Sequence, residues 1–116
     1  MNLLISGSRD ASKRMLELAR GIALIAIAHK WMIVVGDAEG VDEIVINMCN
    51  RFEYARIRVF GAYGRMRRKT KHGVNVITNG TYPQRDEAMA ISCKACIGIW
   101  NGVSRGTMIT VNAVTA

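Results

Sequence analysis

Short apolar runs alternate along the chain with stretches in which apolar residues recur at helical spacing, and a glycine follows several of the runs. Residues 2–6 (NLLIS) stop at Gly7 and read as a buried strand. Residues 11–30 follow with Met15, Leu18, Ala19, Ile22 and Ala26 at helical spacing, which predicts a long helix. Gly21 lies inside it at a cost of about 1 kcal/mol relative to alanine, so it marks either close packing or a tolerated defect. A second strand over residues 31–35 (WMIVV) stops at Gly36, and residues 40–52 align Val41, Ile44, Val45 and Met48 on one helical face. Residues 56–60 predict a third strand and 74–78 a fourth. Pro83 then suits the first turn of a helix continued by Gln84, Arg85, Asp86, Glu87 and Ala88. Residues 95–100 (ACIGIW) form the fifth strand. The last segment, from Gly106, has β-branched residues that favour a strand, but its place in the alternation favours a helix, and helix is the reading adopted.

This order of elements predicts an α/β domain over residues 1–116, with a mostly parallel sheet of about five strands between helices on both faces. The size fits one domain, and half of the residues are hydrophobic, which argues against disorder. No apolar run approaches the roughly 18 residues of a membrane span, and the first is too short for a signal peptide. Three cysteines, Cys49, Cys93 and Cys96, make no disulfide framework and fit a reducing interior. A cytoplasmic protein without a membrane partner is therefore expected. A net charge of +7 and a pI near 9.8 favour anionic partners, whether nucleotides, nucleic acid or phosphorylated metabolites.

Parallel sheets bind ligands beyond the carboxyl ends of their strands, and three small-residue turns fall at such ends. In SGSRD, Gly7 lets a ligand approach the backbone while Ser8 and Arg9 offer a hydroxyl and a guanidinium. The plainer reading is a strand-to-helix turn capped by Asp10 or Ser12. In VGDAEGVDE, Gly36 and Gly40 flank a turn before a helix. There Asp42 either answers the helix dipole or, with Asp37, serves a ribose hydroxyl or a cationic partner. In NGVSRGT, Gly102, Ser104, Gly106 and Thr107 would precede a helix N-terminus, where an anion is favoured, although neither a Walker A motif nor GxGxxG is present.

The segments ISGSRD, VVGDAEGVDEIV, YPQRDEAM and IGIWNGVSRGT, in this order, resemble the SLOG superfamily, whose Rossmann-like members include Smf/DprA and the LOG phosphoribohydrolases. The chain is most similar to the small YspA-like SLOG proteins, over residues 3–114. The resemblance implies a three-layer Rossmann-like fold binding a nucleotide or nucleotide-derived ligand at the strand ends. It assigns the pocket to Gly7, Ser8 and Arg9, to Gly36, Ala38, Gly40 and Asp42, to Arg85 and Met89, and to Gly102, Ser104, Gly106 and Thr107. Departures are Asp37 where a second glycine is usual, Asp86 where Asn is usual after Arg85, and no acid near Lys94, Ala95 and Cys96. A final strand found in longer relatives is also missing by this reading.

Three functions compete. A phosphoribohydrolase of the LOG kind would need a catalytic glutamate where this chain has Thr110. A threonine cannot stabilise the cationic ribose or activate water as a carboxylate does. Asp42, Asp86 or Glu87 could substitute only by facing the pocket. Binding or sensing of a nucleotide-derived phosphate ligand keeps every feature present and is preferred. DprA-like nucleic-acid binding would use Arg65, Arg67, Arg68, Lys69 and Lys71, with Tyr63 as a stacking ring. The plainer reading of that segment (residues 61–73) is an exposed, solvated basic loop. Cys93 and Cys96 lack further ligands for a zinc site and read as buried or half-buried thiols. Trp31 reads as core, while Trp100 is left between core and base stacking. No metal or cofactor is predicted. Self-association is expected, because the resemblance implies it and the long apolar helix could pack against a copy.

Overall fold

The computed structural model describes residues 1–99. Its elements are β1 (Asn2–Gly7), α1 (Lys13–Ala28), β2 (Met32–Gly36), α2 (Val41–Arg51), β3 (Ile57–Gly61), β4 (Val74–Ile77), α3 (Tyr82–Ile91) and β5 (Ala95–Ile99). The strands form one sheet in the order β4-β3-β2-β1-β5. Every neighbouring pair is parallel, so the sheet is parallel throughout rather than mostly so. This is the expected α/β, three-layer, Rossmann-like arrangement. The expected helix at 106–116 lies outside the described residues.

The strands read as continuous apolar runs because both faces of the sheet are covered. Leu3, Ile5, Ile33, Val35, Ile57 and Val59 face α1 and α2, where they meet Ala19, Ala23 and Ala26 together with Val45 and Cys49. On the other face Leu4, Val34 and Phe60 pack against Met89 and Ala90 of α3. Alanines on the buried side of α1 let that helix lie close to the sheet. Its exposed side carries Leu18, Leu24 and Ile25. At Gly21 no described atom beyond the helix's own local backbone and its chain neighbours lies within 4 Å of where a Cβ would stand, so among the described residues close packing does not explain this glycine.

Helix starts follow side-chain chemistry. Ser12, not Asp10, caps α1, its Oγ accepting from the Met15 N–H at 3.3 Å. Thr81 and Gln84 form a reciprocal capping box at the start of α3, with Pro83 in the first turn. Among the described residues no helix is long and apolar enough to cross a membrane.

Two features of the topology shape the site. The chain moves outward through β1, β2, β3 and β4, then returns by α3 to place β5 beside β1. The reversal falls between β1 and β5, the place where open parallel sheets form a ligand crevice. The other feature is the crossover from β3 to β4, residues 62–73, which contains no helix. It runs instead alongside α2: Arg68 reaches Glu43 near the helix start, and the Lys71 N–H donates to Asn50 Oδ1 at 2.9 Å near its end. Thr70 is buried there and tied to Asn75 by two hydrogen bonds, its N–H donating to Oδ1 and its carbonyl accepting from Nδ2.

Candidate functional site

The first two glycine turns are joined at the ends of β1 and β2. Gly40 has φ +81°, a conformation that side chains rarely adopt, and a methyl group there would overlap the carbonyl oxygens of Ser8 and Arg9. The Val41 N–H, opening α2, donates to the Ser8 carbonyl at 3.4 Å, and the Ser8 N–H donates to the Ile99 carbonyl at 3.1 Å. Gly7 is paired with Ile99 across β1 and β5. The third turn follows Ile99 directly in sequence, but Trp100, Gly102, Ser104, Gly106, Thr107 and Thr110 lie outside the described residues. Ser8 is buried at this junction, whereas Arg9 is exposed.

Beside this backbone junction stands a cluster of charges. Asp37 follows β2 directly and is only 1% exposed. Its Oδ1 accepts from Arg67 Nη2 at 2.8 Å, from Arg67 Nε at 3.2 Å and from Arg85 Nη1 at 2.9 Å. Its Oδ2 accepts from the Arg67 backbone N–H at 2.8 Å. Burial alone would raise the Asp37 carboxyl. The hydrogen bonds and charge of Arg67, with the charge of Arg85, overcome that and hold it below the usual carboxylate range. Arg85 is buried on α3 and donates from Nε and Nη2 to Asp86 Oδ1 at 3.1 and 2.9 Å. The Tyr82 ring carries both guanidinium groups, Arg67 at 4.5 Å and Arg85 at 4.9 Å from its centroid. Tyr63 meets Tyr82 edge-on.

Asp42 connects the two regions. Its Oδ2 accepts from the Ala38 N–H at 3.1 Å, closing the turn that precedes α2. Burial pushes its carboxyl up to about 7, against the opposing Arg85 charge and this hydrogen bond. Gly36 makes the arrangement fit, since a Cβ there would stand 2.7 Å from Asp42 Oδ2 and 3.0 Å from Arg85 Nη1. Asp42 thus holds its own turn, and its carboxylate is turned inward.

The structure therefore brings Gly7, Ser8, Gly40 and the Arg9 backbone together, and separately joins Gly36, Ala38, Asp42 and Arg85. Met89 is buried among Leu4, Val34 and Phe60 in the core beneath α3. The basic loop needs correction. Arg65, Lys69 and Lys71 are exposed, but Arg67 and Arg68 are partly buried and paired. Asp37 supplies the counter-charge that lets Arg67 lie partly buried, while Arg68 meets Glu43 nearer the surface. Tyr82 was missed as a member of the cluster, and no local pattern marks it. Asp37 was visible as an unusual acid, yet its partner Arg67 lies 30 residues further along. Cys93 and Cys96 are half-buried free thiols.

No protein-family model and no curated protein sequence matches the chain. Solved structures do match along nearly all of it. The molybdenum cofactor binding protein from the phototrophic bacterium Rippkaea orientalis is similar at TM-score 0.80 and 15% identity, covering 97% of this chain and 69% of that one. The molybdenum cofactor carrier protein from Chlamydomonas reinhardtii is similar at TM-score 0.77 and 16% identity, covering 98% and 70%. DNA processing protein A from Helicobacter pylori, which binds single-stranded DNA, is similar at TM-score 0.76 and 14% identity. That match covers 97% of this chain but only 60% of that protein. The likeness is one of fold.

Proposed function

We propose that the chain binds a nucleotide or nucleotide-derived phosphate ligand where β1, β2 and β5 end. The observation that carries this reading is the junction of the first two glycine turns, with Gly40 pressed onto the Ser8 and Arg9 carbonyls and Ile99 paired to Gly7 beside them. Small residues at the reversal point of a parallel sheet let a phosphate group approach the backbone closely. Arg9, exposed at the same edge, supplies a charge for it. The similar folds that bind a molybdenum cofactor or single-stranded DNA support binding of this general kind. A screen of nucleoside monophosphates by thermal unfolding should raise the midpoint for at least one, and Arg9→Ala should reduce that rise at equal ligand concentration. A flat screen would remove the reading.

A second reading, binding of single-stranded nucleic acid, is favoured by the similar fold of DNA processing protein A and by exposed Arg65, Lys69 and Lys71. Its affinity would fall steeply with salt, whereas the monophosphate response would persist. A hydrolytic reading draws no comparable support, because Thr110 occupies the position where the resemblance requires glutamate.

A further inference from the structure

Asp37 stands where a second glycine is usual in the resemblance, and its carboxylate sits at the focus of a set of donors of the kind that holds an anion. Two guanidinium groups and one backbone N–H converge on it, all within 3.2 Å. Such a donor set suits a carboxylate or a phosphate oxygen equally. Here the anion is part of the chain. Asp86 grips Arg85 from its other side through two hydrogen bonds, so that guanidinium is held in place rather than left to reach outward. Two carboxylates, Asp37 and Asp86, thus balance two guanidiniums, and buried Asp42 adds a third acid at the same strand end. Among the described residues, these guanidiniums are already matched by carboxylates, which leaves neither Arg67 nor Arg85 with unmatched charge for an incoming phosphate.

We propose that Asp37 is a specificity-determining residue that fills the anion subsite at the end of β2 from within the chain. A ligand phosphate is thereby confined to the β1 and β5 side, and a second phosphate group is refused. The chain accordingly takes ligands with one phosphate group in preference to diphosphates and dinucleotides. This rests on the reading that the strand ends bind a phosphate ligand.

The test is calorimetric titration of inorganic pyrophosphate and of adenosine monophosphate into the unaltered protein, Asp37→Gly and Asp37→Asn. Glycine opens the subsite, and asparagine removes the charge while keeping the shape, which covers the case in which the glycine variant fails to fold. Pyrophosphate should bind Asp37→Gly at least tenfold more tightly than the unaltered protein, with a smaller gain for Asp37→Asn. The proposal is overturned if pyrophosphate binds the unaltered protein as tightly as it binds the variants, or if neither folded variant gains. Should the unaltered protein bind the monophosphate while neither variant gains pyrophosphate, Asp37 loses its role and the ligand reading stands. The reverse pattern keeps the role of Asp37 and removes the reading of the β1 side.

Discussion

The two halves of the strand-end edge are built from different materials. At β1 and β5 the described contacts are made by backbone: Val41 N–H to the Ser8 carbonyl, Ser8 N–H to the Ile99 carbonyl, and Gly40 against the carbonyls of Ser8 and Arg9. At β2 and β3 they are made by side chains, with Asp37, Arg85 and Asp86, all buried, joined to the partly buried Arg67 in one network over Tyr82. A backbone junction fixes shape and leaves room for a ligand to bring its own charge. A closed ionic network neutralises its charge internally and gains rigidity instead. On the proposed reading the first half is the one that serves recognition. The second is suited to anchoring the crossover segment and limiting what can bind beside it.

Asp42 belongs to both halves, and its titration gives the largest effect by which to test the contrast. Its carboxyl, at about 7 in the fold, lies above the ordinary value of 3.8. The folded state therefore holds this proton more tightly than the unfolded one. The associated stability is fully present below pH 3.8 and is lost as pH rises through 7. Asp37 has the opposite sign, since its lowered value gives stability that is lost as pH falls through its folded value. Asp42→Asn keeps an oxygen for the Ala38 N–H and removes the ionisation. Relative to the unaltered protein it should gain about 3 kcal/mol between pH 5 and pH 8, measured by denaturant unfolding at both values. A difference that does not change with pH would place Asp42 electrostatically with Asp37 and erase the boundary between the halves.

Gly40 tests the backbone half on its own. Gly40→Ala must adopt φ +81° with a methyl group against two carbonyl oxygens, at a cost of about 2 kcal/mol. Chemical denaturation should show this loss, and the monophosphate response should vanish in the protein that remains folded. If binding survives a rebuilt turn, the junction of Ser8 and Gly40 is structural and recognition lies elsewhere.

The strands were legible because a sheet covered on both faces writes continuous apolar runs, as in Leu3 to Ile5 and Ile33 to Val35. Their ends were misjudged by a residue because Gly7, Gly36 and Gly61 still pair within the ladders. The segment 62–73 gave no periodic signal, since it crosses without a helix and is held by side-chain bonds such as those of Thr70 and Asn75. In the candidate site the first two glycine turns were legible, as each follows an apolar run. The ionic network was not. Its central pair, Asp37 and Arg67, exists only because the crossover lies along α2, and that path is a property of the fold rather than of any local spacing.

Arg67 and Arg68 are neighbours with the same side chain, and nothing in their local sequence separates them, yet the structure gives them unequal weight. Arg67 holds the nearly closed Asp37 through three hydrogen bonds. Arg68 meets Glu43 at 3.0 Å with both side chains substantially exposed, 31% and 43%. Exposed pairs of this kind contribute less than about 1 kcal/mol and are screened by salt. Arg68→Ala should therefore shift the denaturation midpoint only slightly, and less at high salt than at low. It also donates to the Asp37 carbonyl at 3.3 Å, so a loss well above that limit, unchanged by salt, would extend the closed network outward to include Glu43. A small, salt-sensitive loss would place the edge of the network at Arg67, with the segment beyond it held mainly by Thr70 and Lys71.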